Sequence, residues 1–434
     1  MSDTHAGRRR LKGRSSAETR SAVLDLIRSE GEISRSELAR RSELTEKTIS
    51  VIVKSLIYSG VIIESGYAKS TGGKRPVLLR LNDKRLYAVG VTFDLARCLL
   101  VLCGVDGVEV ARSELRGTGT DHPSAMLKRI SAALQRLLAR HEIDRDSVVG
   151  ICVAMGGRRG VPQGWPADRS PDLWEGFDTE VELARLTGLS VIRENDANCA
   201  ALGEYWTSGD ADRDFLTVYM AYGIGCAFVI GGSLYRGVSG NAGEIGHIVA
   251  DPAGPACWCG RRGCLDVVAS PRATAEQILA SRMLRRACDV STGMGFGPVY
   301  TRFGECVRTG TAAVRDLFDT ASGYIADCVV DLVNTLDLDL ITLAGPGFAE
   351  LGDEYRQVIT QRLEQNAFMR DVHPITVRLG ACGSDAAALG AASVVLHREL
   401  TPHHTTNTPR ARTERTVPPA PVAPAAGGGR RFRS

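Results

Sequence analysis

No stretch of this 434-residue chain is apolar for anything near the ~20 residues that a membrane-crossing helix needs, so no bilayer span is expected. The basic start, MSDTHAGRRRLKGRSS, is not followed by an apolar segment, which argues against a secretory signal and makes the cytoplasm the expected location. A disulfide framework is missing too. Most of the 12 cysteines, among them Cys98, Cys103, Cys152 and Cys328, lie scattered inside apolar runs and read as small buried hydrophobes. Cys257, Cys259 and Cys264 alone cluster. Nor is either sign of charge in large excess: the formal net charge is +3.

What is there is uneven. Residues 1–80 carry 16 Lys/Arg against 9 Asp/Glu and residues 401–434 carry 6 against 1, whereas residues 81–400 carry 31 against 40. A basic first domain on an acidic body suggests that the first domain meets a polyanion, although a solvated basic face explains the charge alone equally well. The length calls for two or three domains, and 44% hydrophobic with 24% charged residues is the composition of a globular protein.

Residues 1–15 read as a basic disordered arm, and residues 401–434, rich in Pro, Thr, Gly and Arg without apolar periodicity, as a disordered tail. Between them, residues 16–82 predict a winged helix-turn-helix. In SAETRSAVLDLIRSEG, Val23, Leu24 and Ile27 share one helical face and Gly31 ends it. In ISRSELARRSEL, Ser34 is placed as an N-cap with Glu37 as its capping-box partner. Thr45 then caps a helix that turns Ile49, Ile52, Val53 and Leu56 inward and Glu46, Lys47, Thr48, Ser50 and Lys54 outward. The following VIIESGYAKSTGGKRPVLLRLN predicts strand, Gly-rich loop, strand, with Lys69, Ser70, Lys74 and Arg75 at the tip. Exposed cations and hydroxyls on a flexible loop suit a wing over a phosphate backbone. The expected DNA contacts are Thr45, Glu46, Lys47, Thr48, Ser50, Lys54, Lys69, Ser70, Lys74 and Arg75.

Residues 83–400 alternate strands and helices. LYAVGVTF, CLLVLCGV and GVEVARSEL predict three strands, the last two joined at Asp106-Gly107, followed by the helix AMLKRISAALQRLLARH and the strand VVGICVAM. A similar order returns as DFLTVYMA, CAFVIGG, a long helical stretch and LDLITLAG. Two α/β halves on one plan predict a duplicated fold with a ligand crevice at the strand ends.

Two constellations carry chemistry. Cys257-x-Cys259-x4-Cys264, with Gly260 and Gly263 between the sulfurs, lets a short loop aim three thiolates at one point, and His247 supplies a fourth ligand. Cys3His is a closed tetrahedral zinc set without room for substrate, so the zinc is expected to be structural. In RENDANCAALGEYW, Asn195 and Asp196 stand where a strand yields to an Ala-rich helix; an Asp there can accept a proton from a hydroxyl or simply cap the helix.

VIRENDANCAALGEYW, GNAGEIGHI and CWCGRRGCLD together resemble the ROK family, which comprises repressors and sugar kinases built on a duplicated, actin-like (ribonuclease H-like) ATPase/sugar-kinase fold. The likeness runs from about Leu86 to Leu396, and the helix-turn-helix with STGGKRPVLLRLN resembles the DNA-binding half of ROK repressors. The resemblance implies that Asp196 takes the place of the catalytic base on the sugar hydroxyl and that Asn195, Glu244 and His247 hydrogen-bond the sugar. It also implies that His247, Cys257, Cys259 and Cys264 bind zinc, and that Asp266 stands where the family has a sugar-contacting Glu, one methylene longer.

The nucleotide side departs from the family. In place of Asp-x-Gly-Gly-Thr the chain has Thr92-Phe93-Asp94-Leu95-Ala96. In AYGIGCAF it keeps Gly223 and Gly225 but has Tyr222 for the expected Thr, and Cys226 and Ala227 for later glycines; LAGPGF keeps Gly345 and Gly347. Phosphoryl transfer rests on positioning and charge neutralisation, so Asp196 is expected to be a vestigial base and the chain a non-enzyme. The resulting expectation is a homodimeric or homotetrameric repressor that binds a double-stranded operator and a sugar or sugar derivative. An ATP-dependent sugar kinase that also binds DNA is the alternative.

Overall fold

The computed structural model describes residues 16–68, 75–82, 86–94, 97–119, 121–157, 177–207, 213–309 and 311–400. The expected arm and tail, and Lys69, Ser70 and Lys74 at the wing tip, lie outside the described residues.

The head begins with α1 (Ser16–Glu30), which buries Val23, Leu24 and Ile27 and gives way at Gly31, where φ is +68°. Strand β1 (Ile33–Ser34) leads into α2 (Arg35–Ser42) and α3 (Glu46–Tyr58). Ser34 Oγ accepts from the Glu37 N–H at 3.2 Å, and Thr45 Oγ1 from the Thr48 N–H at 3.2 Å, so both predicted caps form. The capping box closes only halfway. The Glu37 carboxylate is taken by Arg40 and Arg41, which hold it down at about 2, because two guanidiniums one turn on outcompete a neutral backbone N–H. Strands β2 (Ile62–Tyr67) and β3 (Val77–Leu81) pair antiparallel, and β3 also pairs β1, giving the sheet order β1-β3-β2 and the predicted wing.

The body repeats one plan twice. In the first lobe, β4 (Tyr87–Phe93), β5 (Arg97–Gly104) and β6 (Glu109–Arg116) form an antiparallel meander. After α4 (Pro123–Arg140), β7 (Val148–Ala154) adds parallel to β4; after α5 (Thr179–Thr187), β8 (Val191–Glu194) adds parallel to β7. Helix α6 (Asp196–Thr207) then crosses to the second lobe. There β9 (Phe215–Met220), β10 (Ile224–Ile230) and β11 (Ser233–Tyr235) form the second meander. The stretch expected to be one long helical run is five helices: α7 (Leu265–Ala269), α8 (Pro271–Ala280), α9 (Arg282–Ala287), α10 (Phe296–Thr309) and α11 (Ala312–Leu336). Strand β12 (Leu340–Ala344) joins parallel to β9, and after α12 (Gly352–Asn366), β13 (Thr376–Leu379) joins β12. The two sheets run β6-β5-β4-β7-β8 and β11-β10-β9-β12-β13, so the expected duplication holds, with the short strands β11 and β13 added to those the alternation predicts.

The last helix, α13 (Ala386–Leu400), returns to lie on the first lobe's sheet while α6 lies on the second lobe's, and the two helices pack on each other between the sheets. Small residues make this approach possible. A Cβ added at Gly390 would come within 1.7 Å of the Cys199 carbonyl oxygen, and one at Gly203 within 2.9 Å of Gly390 Cα. Any side chain at Gly390 would therefore push the helix pair apart.

Candidate functional site

Between the lobes, at the C-terminal ends of β4, β7 and β9, lies a cavity of about 260 Å³. The residues expected to meet a sugar all line it: Asn195, Asp196, Glu244, His247 and Asp266. Asn195 Oδ1 accepts from the Ala197 and Asn198 N–H groups at 2.9 and 3.2 Å, and Asp196 Oδ1 from the Ala197 N–H at 3.0 Å, so both residues serve the start of α6 while Asp196, the first helical residue, also lines the cavity next to Gly156. Just before them, buried Glu194 receives Asn198 Nδ2 at 3.1 Å and Arg236 Nε at 3.1 Å, the latter a pair whose side chains are 5% and 11% exposed. This pair ties the end of β8 to the chain leaving β11. Breaking a buried pair strands a charge. Arg236→Met is therefore expected to destabilise the body by about 3 kcal/mol or more. A thermal melt checks it, and an unshifted midpoint would refute it.

Glu244 and His247 come from the GNAGEIGHI segment, which crosses beneath β10 and ends in a short 3₁₀ turn, Ile245–His247. Asp266, largely buried, is held by the Ile224 N–H at 3.2 Å and lies 3.7 Å from the Arg272 guanidinium. Burial raises its pKa above the usual carboxylate range, an effect opposed by Arg272, the Ile224 N–H and His247. Arg272 lines the same cavity and stands over the Tyr222 ring at 5.4 Å, so it belongs to the site, although nothing about its spacing singled it out.

The ligand atoms of His247, Cys257, Cys259 and Cys264 all lie within 4.8 Å of one another, a cluster that could hold a metal ion. Cys257 Sγ is 3.5 Å from His247 Nδ1, and Cys259 Sγ is 3.6 Å from Cys264 Sγ. The loop folds this way because Gly263, with φ at +61°, lets Asp251 press so close that an added Cβ would overlap its carbonyl oxygen. The sulfurs share protons unequally. Burial and the two neighbouring sulfurs push Cys264 up to about 12. For Cys259 burial is outweighed by the Arg261 N–H and by hydrogen bonds from Cys257 and Cys264, and its pKa falls.

Beside Thr92–Asp94, which stand where the family has its nucleotide motif, lies an ion-pair network. Arg97 reaches Asp385 at 3.1 Å and Glu114 at 3.0 Å, and Arg112 reaches the other Asp385 oxygen at 2.8 Å. Asp94 accepts from the Arg97 N–H at 2.8 Å, closing the turn between β4 and β5. The departure at Thr92–Asp94 was legible from residue types. The clasp across the crevice was not, because Asp385 is 288 positions from Arg97.

On the head, Thr45, Glu46, Lys47, Ser50 and Lys54 are exposed and Thr48 is half-buried, its N–H and hydroxyl both bonded to Thr45. Arg75, at the wing, is exposed. Val51, 66% exposed in the middle of this face, was missed because a valine in a helix reads as core. An apolar side chain there suits contact with a thymine methyl in a major groove.

Residues 97–398 match the ROK family and residues 17–63 a winged helix-turn-helix DNA-binding family. The chain is 24% identical over 346 residues to a xylose repressor of Bacillus subtilis, covering 77% of this chain and 88% of that protein. It is 29% identical over 309 residues to a glucokinase of Halalkalibacterium halodurans, covering 68% of this chain and 90% of the glucokinase. In fold it is similar to a ROK family transcriptional regulator, a homologue of the Escherichia coli MLC protein. That likeness has a TM-score of 0.68 at 20% identity and covers 90% of this chain and 99% of that structure. With the winged head, the duplicated lobes and the His/Cys loop in place, the chain belongs to the ROK family, as a transcriptional regulator with an N-terminal helix-turn-helix.

Proposed function

We propose that this protein is a transcriptional repressor, without kinase activity, that senses a sugar or sugar derivative in the inter-lobe cavity. The observation that carries this reading is the contrast between the two sides of one crevice. Asn195, Asp196, Glu244, His247 and Asp266 converge on the sugar side, while Asp94 and the Arg97–Asp385–Arg112 clasp occupy the side where phosphates would need neutralisation. Asp196 then serves as a hydrogen-bond acceptor for a sugar hydroxyl.

The cluster suits zinc. Zn–S of about 2.3 Å and Zn–N of about 2.0 Å set tetrahedral edges of about 3.8 Å between sulfurs and about 3.5 Å between sulfur and nitrogen. The spacings of 3.6 and 3.5 Å fall close to both. With Nδ1 on the metal, the His247 ring is fixed with Nε2 protonated, a donor for the sugar. Zinc's contribution when bound is to hold that ring and the loop bearing Asp266.

Repressors of this kind bind two half-sites, so a homodimer or a pair of dimers on a two-fold operator is proposed. Residues 16–82 would form the DNA-binding unit and 83–400 the sensor, acting in the cytoplasm. Among the described residues no helix is long and apolar enough to cross a membrane.

The test is fluorescence anisotropy on DNA from upstream of the coding sequence, at fixed salt, against a panel of sugars, N-acetylated sugars and sugar phosphates. One sugar should shift the binding curve. Lys47→Ala should lower the slope of log affinity against log salt by about one. An unshifted curve across the panel would overturn the sugar-sensing reading, and an unchanged slope would remove Lys47 from the phosphate contacts.

A further inference from the structure

We propose that α6 and α13 form a rigid strut from the ligand cavity to the DNA-binding head, and that Arg28, clamped on Trp206, is the joint through which sugar and DNA occupancy influence each other. This rests on the repressor reading and states how its two sites communicate.

Both helices start at the cavity. Asp196 opens α6, Asp385 precedes α13, and Ala387 in its first turn lines the cavity. At about 1.5 Å per residue they are about 18 and 22 Å long. The close approaches at Gly203 and Gly390 leave no slack between them. Glu204 adds a second tie, its two carboxylate oxygens accepting from the Ala381 and Cys382 N–H groups at 3.1 Å each, on the loop that leads to Asp385.

Both helices end at the head. Arg28, from the last turn of α1, donates to the Trp206 carbonyl oxygen, with its guanidinium 4.5 Å from the Trp206 ring centre and 5.3 Å from that of Tyr205. Asp25 lies 3.5 Å from its Nε, and the Arg28 side chain is only 4% exposed. From α13, His397 meets the edges of both rings at 5.9 and 6.3 Å. The third wall is the β5–β6 turn: at Gly107, where φ is +80°, a Cβ would come within 2.3 Å of Trp206 Cδ1. The neighbouring Val105, with Leu86 and with Leu400 at the end of α13, packs into the head's own core around Val23, Leu24 and Ile27. A guanidinium buried against two aromatic rings has few alternative positions. A shift of Asn195 and Asp196 around a ligand is therefore carried to the head as a displacement of Trp206.

Linkage makes the coupling reciprocal, so DNA alone can report it. The experiment is hydrogen exchange on the full zinc-loaded chain with and without double-stranded DNA from upstream of its coding sequence. The α6 amides from Ala197 to Ala201 should change their exchange rates about fivefold or more on DNA binding. In Arg28→Met combined with Asp25→Asn, which leaves no stranded carboxylate, that change should vanish while DNA still binds. Trp206→Phe keeps the carbonyl acceptor but weakens the ring contact, and should reduce the change by at least about half; it carries the test if the double variant does not fold. DNA binding with unchanged α6 exchange overturns the strut and leaves the repressor reading intact. An undiminished change in either folded variant overturns the role of the Arg28–Trp206 joint. Failure of the wild-type chain to bind DNA overturns the repressor reading and the strut together.

Discussion

Cys264→Ser is expected to empty the metal cluster and to weaken sugar binding by about 10- to 100-fold, as loss of a supporting contact at a metal site does. Cys264 is fully buried at the N-cap position of α7, and Asp266 lies two residues beyond it. Its neighbours bind the two halves of the site together: the Leu265 N–H donates to the Ile248 carbonyl at 2.8 Å, and Val249 and Cys264 form a β-bridge. Serine offers a weaker, harder ligand than thiolate, which a Cys3His site does not hold well. Once the cluster opens, His247 loses its fixed orientation and the loop bearing Asp266 loses its anchor, so both sugar contacts go at once. Elemental analysis should find about one zinc per wild-type chain and little in the variant, and calorimetry should record the loss of sugar affinity. Full zinc content in the variant would mean that Cys264 is no ligand. Lost zinc with unchanged sugar affinity would mean that the cluster does not shape the pocket.

Asp196→Asn is expected to lower sugar affinity by about 10- to 100-fold, the worth of one hydrogen bond to a charged group, and to leave ADP release from MgATP and hexoses where the wild type already has it, at background. In a kinase the same substitution abolishes turnover, because a neutral amide cannot accept the hydroxyl proton. The outcomes separate because Asp196 and the nucleotide side fail differently. Asn195 caps α6 through two N–H groups, and Asp196, with Oδ1 on the Ala197 N–H at 3.0 Å, lines the cavity with Oδ2 on the side of Gly156. Across the crevice, Arg97 and Arg112 are already committed to Asp385, and Asp94 faces the space that phosphates would fill. Wild-type turnover that disappears in the variant would establish the kinase reading. Unchanged sugar affinity would show that Asp196 does not touch the sugar.

Much of this was legible in one dimension because it depends on local spacing. Caps at Ser34 and Thr45 lie three residues from the N–H groups they satisfy, and the His/Cys loop closes within eighteen positions. The duplicated strand order follows from alternation along each half. The capping box was overread, since Glu37 has two arginines within one turn and pairing rules rank neither choice.

What the sequence by itself determined is therefore the set of parts: a winged head, two lobes on one plan, a clustered His/Cys loop, and a Thr92–Ala96 stretch without the glycines of the family's first nucleotide motif. These follow from residue type and short-range periodicity, which act within a turn or a hairpin. Tertiary structure alone decided how the parts are joined. Asp385 meets Arg97 across 288 positions and Arg112 across 273, and Arg28 closes on Trp206 across 178. Such pairings depend on where the sheets and the α6–α13 pair place side chains far apart in the chain, and no local pattern encodes that distance.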